Sequence, residues 1–197
     1  MKSDERYEIR FSGSGGQGII TAAVVMADGV GAYDNQHVCQ TQSYGPEARG
    51  GKSKAEVVIS GSPIDYPKAL RVDLLLAMTQ TACDAYFSDI KSNGLLVVDS
   101  SLVKQLPSSR SVSIPFTQIA REKIGRELVA NMVALGAVGF LCGQVSLEGL
   151  EKALLSRVPK GTEQMNSEAL HAGIEEARKI NLALLPKSVF SEWEDEL

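Results

Sequence analysis

Hydrophobic residues at the start of the chain follow first a period of two and then a helical period. Tyr7, Ile9 and Phe11 alternate with polar residues, which predicts a β-strand that ends at a run of glycines. From Gln17 to about Ala32, apolar residues recur every three or four positions, as on the buried side of a helix. These patterns predict the order strand, glycine turn and helix.

The rest of the chain continues this alternation of strands and helices. Residues 72–78 and 95–98 are almost continuously apolar, which is typical of strands that are covered on both faces. The later predicted strands are 37–42, 55–60, 72–78, 94–99 and 111–115, and the later predicted helices are 81–92, 117–125, 128–142, 147–157 and 163–182. We therefore expect an α/β fold, a three-layer sandwich with a mostly parallel, Rossmann-like sheet and a helical C-terminal portion.

Size and composition fit one globular domain. The chain has 197 residues, of which 44% are hydrophobic and 22% are charged. A chain of this size buries about 70% of its unfolded surface, enough for one substantial core. We expect a domain over residues 1–185 and an acidic C-terminal tail over residues 186–197.

Charge and hydropathy exclude several classes of protein. The net charge is only −4 and no stretch is dominated by lysine and arginine, so nothing favours binding to nucleic acid. The first ten residues are polar, unlike a signal peptide, and the uncharged stretch 128–143 is shorter than the roughly 20 residues of a membrane span. We expect a cytoplasmic protein that binds neither nucleic acid nor membrane.

Cysteine and histidine residues give no sign of a metal or nucleophilic site. Cys39, Cys83 and Cys142 are far apart and lack C-x-x-C spacing, which argues against disulfides and against a cluster held by about four thiolates. His37 and His171 have no neighbouring pattern of serine, cysteine and carboxylate. No catalytic residue and no metal site are expected on this chain.

The first candidate site is the glycine loop GSGGQG. Gly13, Gly15 and Gly18 have the spacing G-x-G-x-x-G at a predicted strand-to-helix junction, where free amides and the helix dipole favour an anion. Taken alone, this motif fits close packing of helix on sheet as well as it fits a ligand. Gly16, which packing does not need, and Gln17, whose amide can donate and accept, favour contact with a ligand or a neighbouring subunit.

A dinucleotide site needs, in addition, an acidic residue at the end of the second strand. Asp34 precedes the predicted strand 37–42 instead of closing it, and the residues that close the strand are Thr41 and Gln42. This weakens the alternative of a stand-alone dinucleotide-binding protein, although threonine or glutamine could still bind a sugar.

The second candidate site is the polar loop from Tyr44 to Gly51. We expect it to follow the second strand beside the glycine turn, at the carboxyl ends of the strands, where ligands bind in α/β sheets. Arg49, Lys52 and Lys54 form the densest basic group of the chain, which suits an anionic ligand or an acidic partner. A solvated loop with a bonded arginine is the competing interpretation.

Read together, the motifs resemble one family over nearly the whole chain. They are GSGGQG at 13–18, TQSYGPEARGG at 41–51, VVIS at 57–60, PIDYP at 63–67, DLLLAM at 73–78, the surroundings of Asn131 and Gly136, and VPKGTE at 158–163 with Asn166. In this order they resemble the gamma subunits of 2-oxoacid:ferredoxin (acceptor) oxidoreductases, most closely the 2-oxoglutarate type. The pyruvate type and the branched-chain type remain alternatives.

The resemblance implies a multisubunit, CoA-acylating enzyme that converts 2-oxoglutarate and coenzyme A to succinyl-CoA, CO2 and reduced acceptor. It places thiamine diphosphate, magnesium and iron–sulfur clusters in partners, namely thiamine-binding alpha and beta subunits and a ferredoxin-like cluster subunit. The isolated chain is expected to be inactive, and it could form a homodimer. A purely structural subunit, whose loops only dock, is the remaining alternative.

The resemblance also implies that the chain, as a gamma-type domain over residues 1–185, shapes the coenzyme A approach or an inter-subunit surface. The candidate ligand-binding residues are Gly13, Gly15, Gly16, Gln17, Gly18, Tyr44, Arg49, Gly50 and Gly51.

Overall fold

A six-stranded mixed sheet forms the centre of the fold in the computed structural model, which describes residues 6–44 and 52–187. The strands are β1 Tyr7–Ser14, β2 His37–Tyr44, β3 Lys52–Ser60, β4 Val72–Ala77, β5 Ile90–Asp99 and β6 Ser111–Ile114. Their order is β2-β3-β1-β4-β5-β6. Strand β3 runs antiparallel to both of its neighbours, and the pairs β1–β4, β4–β5 and β5–β6 are parallel. The predicted mostly parallel α/β sheet is confirmed.

Helices cover both faces of this sheet. They are α1 Ile19–Asp28, α2 Gln80–Tyr86, α3 Phe116–Ile119, α4 Ala130–Cys142, α5 Leu147–Arg157 and α6 Glu163–Arg178. Residues of α1, α4, α5 and α6 share one apolar core with the sheet residues Ile9 and Leu74. On the other face, Cys83 of α2 packs in a second core with Leu75 and Val98. The result is the expected three-layer sandwich with a helical C-terminal portion.

Three of the predicted helices are shorter in the structure than expected from the sequence. The predicted helix 81–92 ends early, because a 3-10 turn at Phe87–Asp89 follows α2 and the buried Ile90 already pairs with Val72 in the sheet. The helix predicted to end at 182 stops at Arg178, and the Asn181 side chain caps a 3-10 turn instead. The predicted helix 117–125 is a short α3 followed by a π-turn at Ala120–Ile124.

Close contact between α4 and α6 depends on two glycines, one in each helix, that each lie against the main chain of the other helix. A Cβ placed on Gly136 would lie 2.0 Å from the carbonyl oxygen of Leu170, and one on Gly173 would lie 1.8 Å from the carbonyl oxygen of Val133. Only hydrogen at these two positions allows the helices to approach so closely. This packing fixes α4 against α6.

Alternation in β1 does not mark a solvent-exposed face. Glu8 and Arg10 are only 4% and 2% exposed, and Ser12 is fully buried. The guanidinium of Arg10 lies 2.9 Å from a carboxylate oxygen of Glu56 and also pairs with Asp89. The polar side of the strand is therefore buried because its charges are paired.

Candidate functional site

The glycine loop connects the carboxyl end of β1 to the amino end of α1. Gly18 is the N-cap of α1 and has φ 70°, a conformation that favours glycine. As a glycine, this N-cap residue supplies no side-chain cap, and the first turn of the helix contains no acidic residue. The first-turn N–H groups lack helical acceptors by geometry, so they give the loop a partial positive charge.

Gln17 stabilises the loop from within. Its side-chain oxygen accepts a hydrogen bond from the Ser14 main-chain N–H at 2.8 Å, and the main-chain N–H of Gln17 donates to the Ser14 carbonyl at 3.2 Å. A Cβ on Gly13, which is buried in β1, would lie 2.5 Å from that same side-chain oxygen. The oxygen of the Gln17 amide is therefore used inside the loop.

Helix α4 supports the loop from outside. The side-chain Nδ2 of Asn131, in the first turn of α4, donates to the carbonyl oxygen of Gly18 at 3.1 Å. Asn131 is only 7% exposed. The loop is thus held by one side-chain amide of its own and by one from a different helix.

A cleft of about 270 Å³ lies beside the glycine loop. It is lined by Gly16, Gln17, Met78, Thr117, Glu127, Leu128 and Ala130. Strands β1 and β4 are parallel neighbours, but α1 follows β1 on one face of the sheet and α2 follows β4 on the other. The cleft therefore lies at a topological switch point, where open α/β sheets bind ligands.

The lining of this cleft is mostly apolar and carries no lysine or arginine among the described residues. Glu127 is paired with Arg121 at 2.7 Å on the surface, and Leu128 beside it is 78% exposed. Thr117 is fixed by the fully buried Asp99, which accepts hydrogen bonds from the Thr117 N–H at 3.0 Å and hydroxyl at 2.5 Å. The cleft offers main-chain groups and apolar surface, and it suits an uncharged part of a ligand.

Lys52 and Lys54, two members of the basic group predicted from the sequence, lie on β3 beside the end of β1. Strand β2 is not the neighbour of β1; β3 lies between them, and its first residue Lys52 pairs with Ser14. Lys54 pairs with Ser12 in the sheet and its ammonium group contacts Glu56 at 3.0 Å. The expected position of the second strand beside the glycine turn is therefore wrong, because β3 pairs with β1 on one side and with β2 on the other.

A second hollow, of about 280 Å³, opens on the β2–β3 part of the sheet. It is lined by Thr41, Gln42, Ser43, Lys54, Glu56 and Lys68. Its side chains are polar, and the aromatic ring of Tyr86 lies 5.7 Å from the Lys54 ammonium group. Two lysines and one carboxylate thus form a polar surface one strand away from the glycine loop.

Several predicted site residues lie outside the described part of the chain. Arg49, Gly50 and Gly51 are not described, and Tyr44 is described only as the last residue of the β2 backbone. The neighbours of this loop are described on both sides, since Tyr44 pairs with Ser53. The assignment of Tyr44, Arg49, Gly50 and Gly51 as ligand-binding residues stays a prediction.

Asp34 has a structural partner. Its carboxylate accepts hydrogen bonds from the Ser146 N–H and the Ser146 hydroxyl, both at 2.5 Å, at the start of α5. In a dinucleotide site the acidic residue closes a strand beside the glycine turn. Here the strand on one side of β1 is the antiparallel β3, which begins with Lys52, and the parallel β4 on the other side ends at Ala77. This arrangement argues against a dinucleotide site.

Sequence reasoning did not identify Met78, Thr117, Leu128 and Asn131 as neighbours of the glycine loop. Met78 and Asn131 belong to the motifs of the family resemblance, which was the only signal for them. Thr117 and Leu128 carry no motif. No group of three or more His, Cys, Asp or Glu residues that could hold a metal occurs within the described ranges, and no helix there is long and apolar enough to cross a membrane.

Comparison with known protein families decides between the remaining interpretations. The model of the family described as pyruvate ferredoxin/flavodoxin oxidoreductase matches residues 8–176. The chain belongs to this family.

Relatives in this family narrow the match further. The chain is 50% identical over 179 residues to the 2-oxoglutarate synthase subunit KorC of Methanocaldococcus jannaschii, covering 89% of this chain and 96% of the relative. It is 38% identical over 172 residues to the same subunit of Archaeoglobus fulgidus, with coverages of 87% and 88%. These relatives confirm the predicted resemblance to a gamma-type chain.

Solved structures agree with this assignment. The gamma subunit of a keto/oxoacid ferredoxin oxidoreductase from Geobacter sulfurreducens is 49% identical, with a TM-score of 0.80 and coverages of 88% of this chain and 99% of that one. A 2-oxoglutarate:ferredoxin oxidoreductase from Magnetococcus marinus also has a TM-score of 0.80, but it is only 23% identical and 32% of its chain is covered. The second similarity shows a shared fold alone.

Proposed function

We propose that this chain is the gamma subunit of a multisubunit 2-oxoglutarate:ferredoxin (acceptor) oxidoreductase. The complex converts 2-oxoglutarate and coenzyme A to succinyl-CoA, CO2 and reduced acceptor. The observation that carries the substrate assignment is a difference in identity. The chain is 50% identical to a subunit of 2-oxoglutarate synthase but 32% identical to the pyruvate synthase subunit PorC of Methanothermobacter thermautotrophicus, at 89% coverage of this chain in both cases.

The proposed chemistry is divided among subunits. Thiamine diphosphate, held by the partner subunits, would supply the carbanion chemistry of the decarboxylation. Iron–sulfur clusters in a further partner carry the electrons to ferredoxin or a similar carrier. This chain supplies a surface that binds or orients, and the reaction requires the assembled complex in the cell interior.

The proposed role of the chain is to bind a phosphate of coenzyme A or to fix the inter-subunit loop that does so. Two features of the described residues support this role. The first turn of α1 presents uncapped amides at the glycine loop, and Lys52 lies beside Ser14 at the end of β1. Backbone amides and cationic side chains are the groups that bind phosphate in proteins. Arg49, which lies between β2 and β3 in the sequence, is proposed as a third donor.

The cleft complements this arrangement. Its apolar lining of Met78, Leu128 and Ala130 does not attract a phosphate, but it accommodates an uncharged part of the same ligand or an apolar side chain of a partner subunit. The anionic end and the uncharged end of a ligand thus have separate places around the glycine loop.

Replacement of Arg49 in the assembled complex tests this proposal. An arginine–phosphate contact is a charge-assisted hydrogen bond, so Arg49→Ala is expected to raise the KM for coenzyme A about tenfold or more while kcat stays within about twofold. Arg157→Ala is the matched control, because Arg157 is a surface arginine that pairs with Asp28 at 2.5 Å on α1. An unchanged KM in a correctly assembled Arg49→Ala complex would overturn the proposal.

A further inference from the structure

Asn131 connects two segments that line the cleft. Gly16 and Gln17 of the glycine loop line it, and so do Leu128, in the 3-10 turn that precedes α4, and Ala130, the first residue of α4. The described hydrogen bond from Asn131 Nδ2 to the Gly18 carbonyl oxygen, at 3.1 Å, joins the two segments. A change in this bond therefore alters the position of the loop relative to the cleft.

The Gly18 carbonyl is a sensitive point of attachment. The same oxygen accepts the first hydrogen bond of α1, from the Ala22 N–H at 3.1 Å. Its direction sets the direction in which the first-turn amides of α1 point. By donating to this oxygen, Asn131 stabilises both the axis of α1 and the end of the glycine loop.

Asn131 and Gly18 also fit each other sterically. A Cβ on residue 18 would lie 2.3 Å from Asn131 Nδ2, so the asparagine amide fills the space that a side chain at this position would need. Since Asn131 is only 7% exposed, its amide has little freedom to move away. The contact is specific to this pair and is not a general surface bond.

Building on the proposed function, we propose that Asn131 is a positioning residue for coenzyme A binding: it holds the glycine loop and the amino end of α1 in the geometry that binds the ligand. Asn131 acts through Gly18 and needs no contact with the ligand. Loss of its amide donor leaves the chemistry in the partner subunits intact and lowers affinity for coenzyme A.

The chain offers a matched control for the stability of a buried asparagine. Asn166 lies in the first turn of α6, is 6% exposed, and its Nδ2 donates to the Thr162 carbonyl at 2.8 Å. Like Asn131, it lies in the first turn of its helix and donates to a main-chain carbonyl, but this carbonyl belongs to the residue before its own helix and not to the glycine loop. A purely structural role predicts the same behaviour for both asparagines.

The test uses the purified complex with Asn131→Ala, Asn131→Asp or Asn166→Ala. Asn131→Asp keeps the size of the side chain and replaces the N–H donor by an acceptor, so it remains informative if the alanine variant does not assemble. Hydrogen exchange measured by mass spectrometry on peptides that contain the Ala22 amide reports the loop and the start of α1. Steady-state kinetics with coenzyme A as the varied substrate reports binding.

Both Asn131 variants are expected to exchange about five- to tenfold faster at the start of α1 and to raise the coenzyme A KM by a similar factor, with kcat within about twofold. Asn166→Ala is expected to leave both quantities at the wild-type value. Unchanged exchange in Asn131→Asp overturns the positioning role, whatever Arg49→Ala does. Faster exchange with an unchanged KM also overturns it, and a raised KM in Arg49→Ala would then show that the coenzyme A role itself survives.

Discussion

Ser14, the last residue of β1, pairs in antiparallel register with Lys52, the first residue of β3. This pairing places the cationic Lys52 next to the glycine loop. In a dinucleotide-binding sheet, the strand at this place is parallel to β1 and ends in an acidic residue. The antiparallel β3 therefore changes the chemistry of the position beside the loop. A lysine lies where a dinucleotide site has a carboxylate.

Replacement of Gly18 by alanine is expected to destabilise the protein more than the same change at Gly16. Both residues have positive φ, 70° and 93°, which costs about 1–2 kcal/mol for alanine. Only Gly18 has a close neighbour, since a Cβ at Gly16 would meet no atom within 4 Å. Urea denaturation should give a difference of about 1 kcal/mol between the two variants. Equal losses would show that Asn131 does not restrict residue 18.

Contact between α4 and α6 predicts a large effect for a small substitution. Gly136→Ala places a methyl group 2.0 Å from the Leu170 carbonyl oxygen, and the two helices must separate to admit it. We expect a loss of about 3 kcal/mol in the free energy of unfolding. Gly139→Ala, in the same helix, meets the flexible end of Leu150 at 2.4 Å and should lose about 1 kcal/mol or less. Similar values for both variants in chemical denaturation would contradict the close backbone contact.

Removal of Arg10 tests the buried charges behind the sheet. The Arg10 side chain is 3% exposed and that of Glu56 is 7% exposed, so Arg10→Met leaves a buried carboxylate with Lys54 as its remaining cation. We expect a loss of about 3 kcal/mol that is insensitive to salt, and a partial recovery when Glu56→Gln is added. Arg121→Met removes the exposed pair with Glu127 and should change stability by less than about 1 kcal/mol. A loss from Arg10→Met no larger than that control would contradict a buried network.

Thiol labelling tests the burial of the cysteines and has a defined pH dependence. Burial and, to a smaller extent, the nearby Asp84 carboxylate raise the pKa of the Cys83 thiol to about 11. The reactive thiolate therefore stays scarce at neutral pH and increases only as pH approaches that value. At pH 8 we expect only the half-exposed Cys39 of the three cysteines to react in the native protein, and all three to react in denaturant. Labelling of native Cys39→Ser at pH 8 would show that a second thiol is accessible.

Local sequence patterns were sufficient for most of the fold. The change from a period of two to a helical period located β1, the glycine turn and α1, because each pattern depends on neighbouring residues. The apolar runs located β4 and the buried half of β5. The first residues of β5 were missed, because Lys91 and Ser92 interrupt the apolar pattern after the buried Ile90, which already belongs to the strand.

Features that depend on distant residues could not be predicted in this way. The position of β3 between β2 and β1 depends on which strands pair with each other. The hydrophobic pattern of β3 alone does not determine its neighbours in the sheet. The burial of the polar side of β1 could not be predicted, because Glu56 and Asp89 become partners of Arg10 only in the folded sheet. Asn131 and Gly18 are 113 positions apart, so only the fold shows that they form one site.

The most direct measurement of the central claim is an assay of the complex isolated through an affinity tag on this chain. The steady-state kcat/KM is compared for 2-oxoglutarate, pyruvate and branched-chain 2-oxoacids, with coenzyme A and a low-potential electron acceptor present. The proposed function predicts CoA-dependent activity with a preference for 2-oxoglutarate of about tenfold or more, since the substrate pocket of the partner subunits distinguishes a second carboxylate from an alkyl group. A preference for pyruvate or a branched-chain acid, or activity that does not depend on coenzyme A, would contradict it.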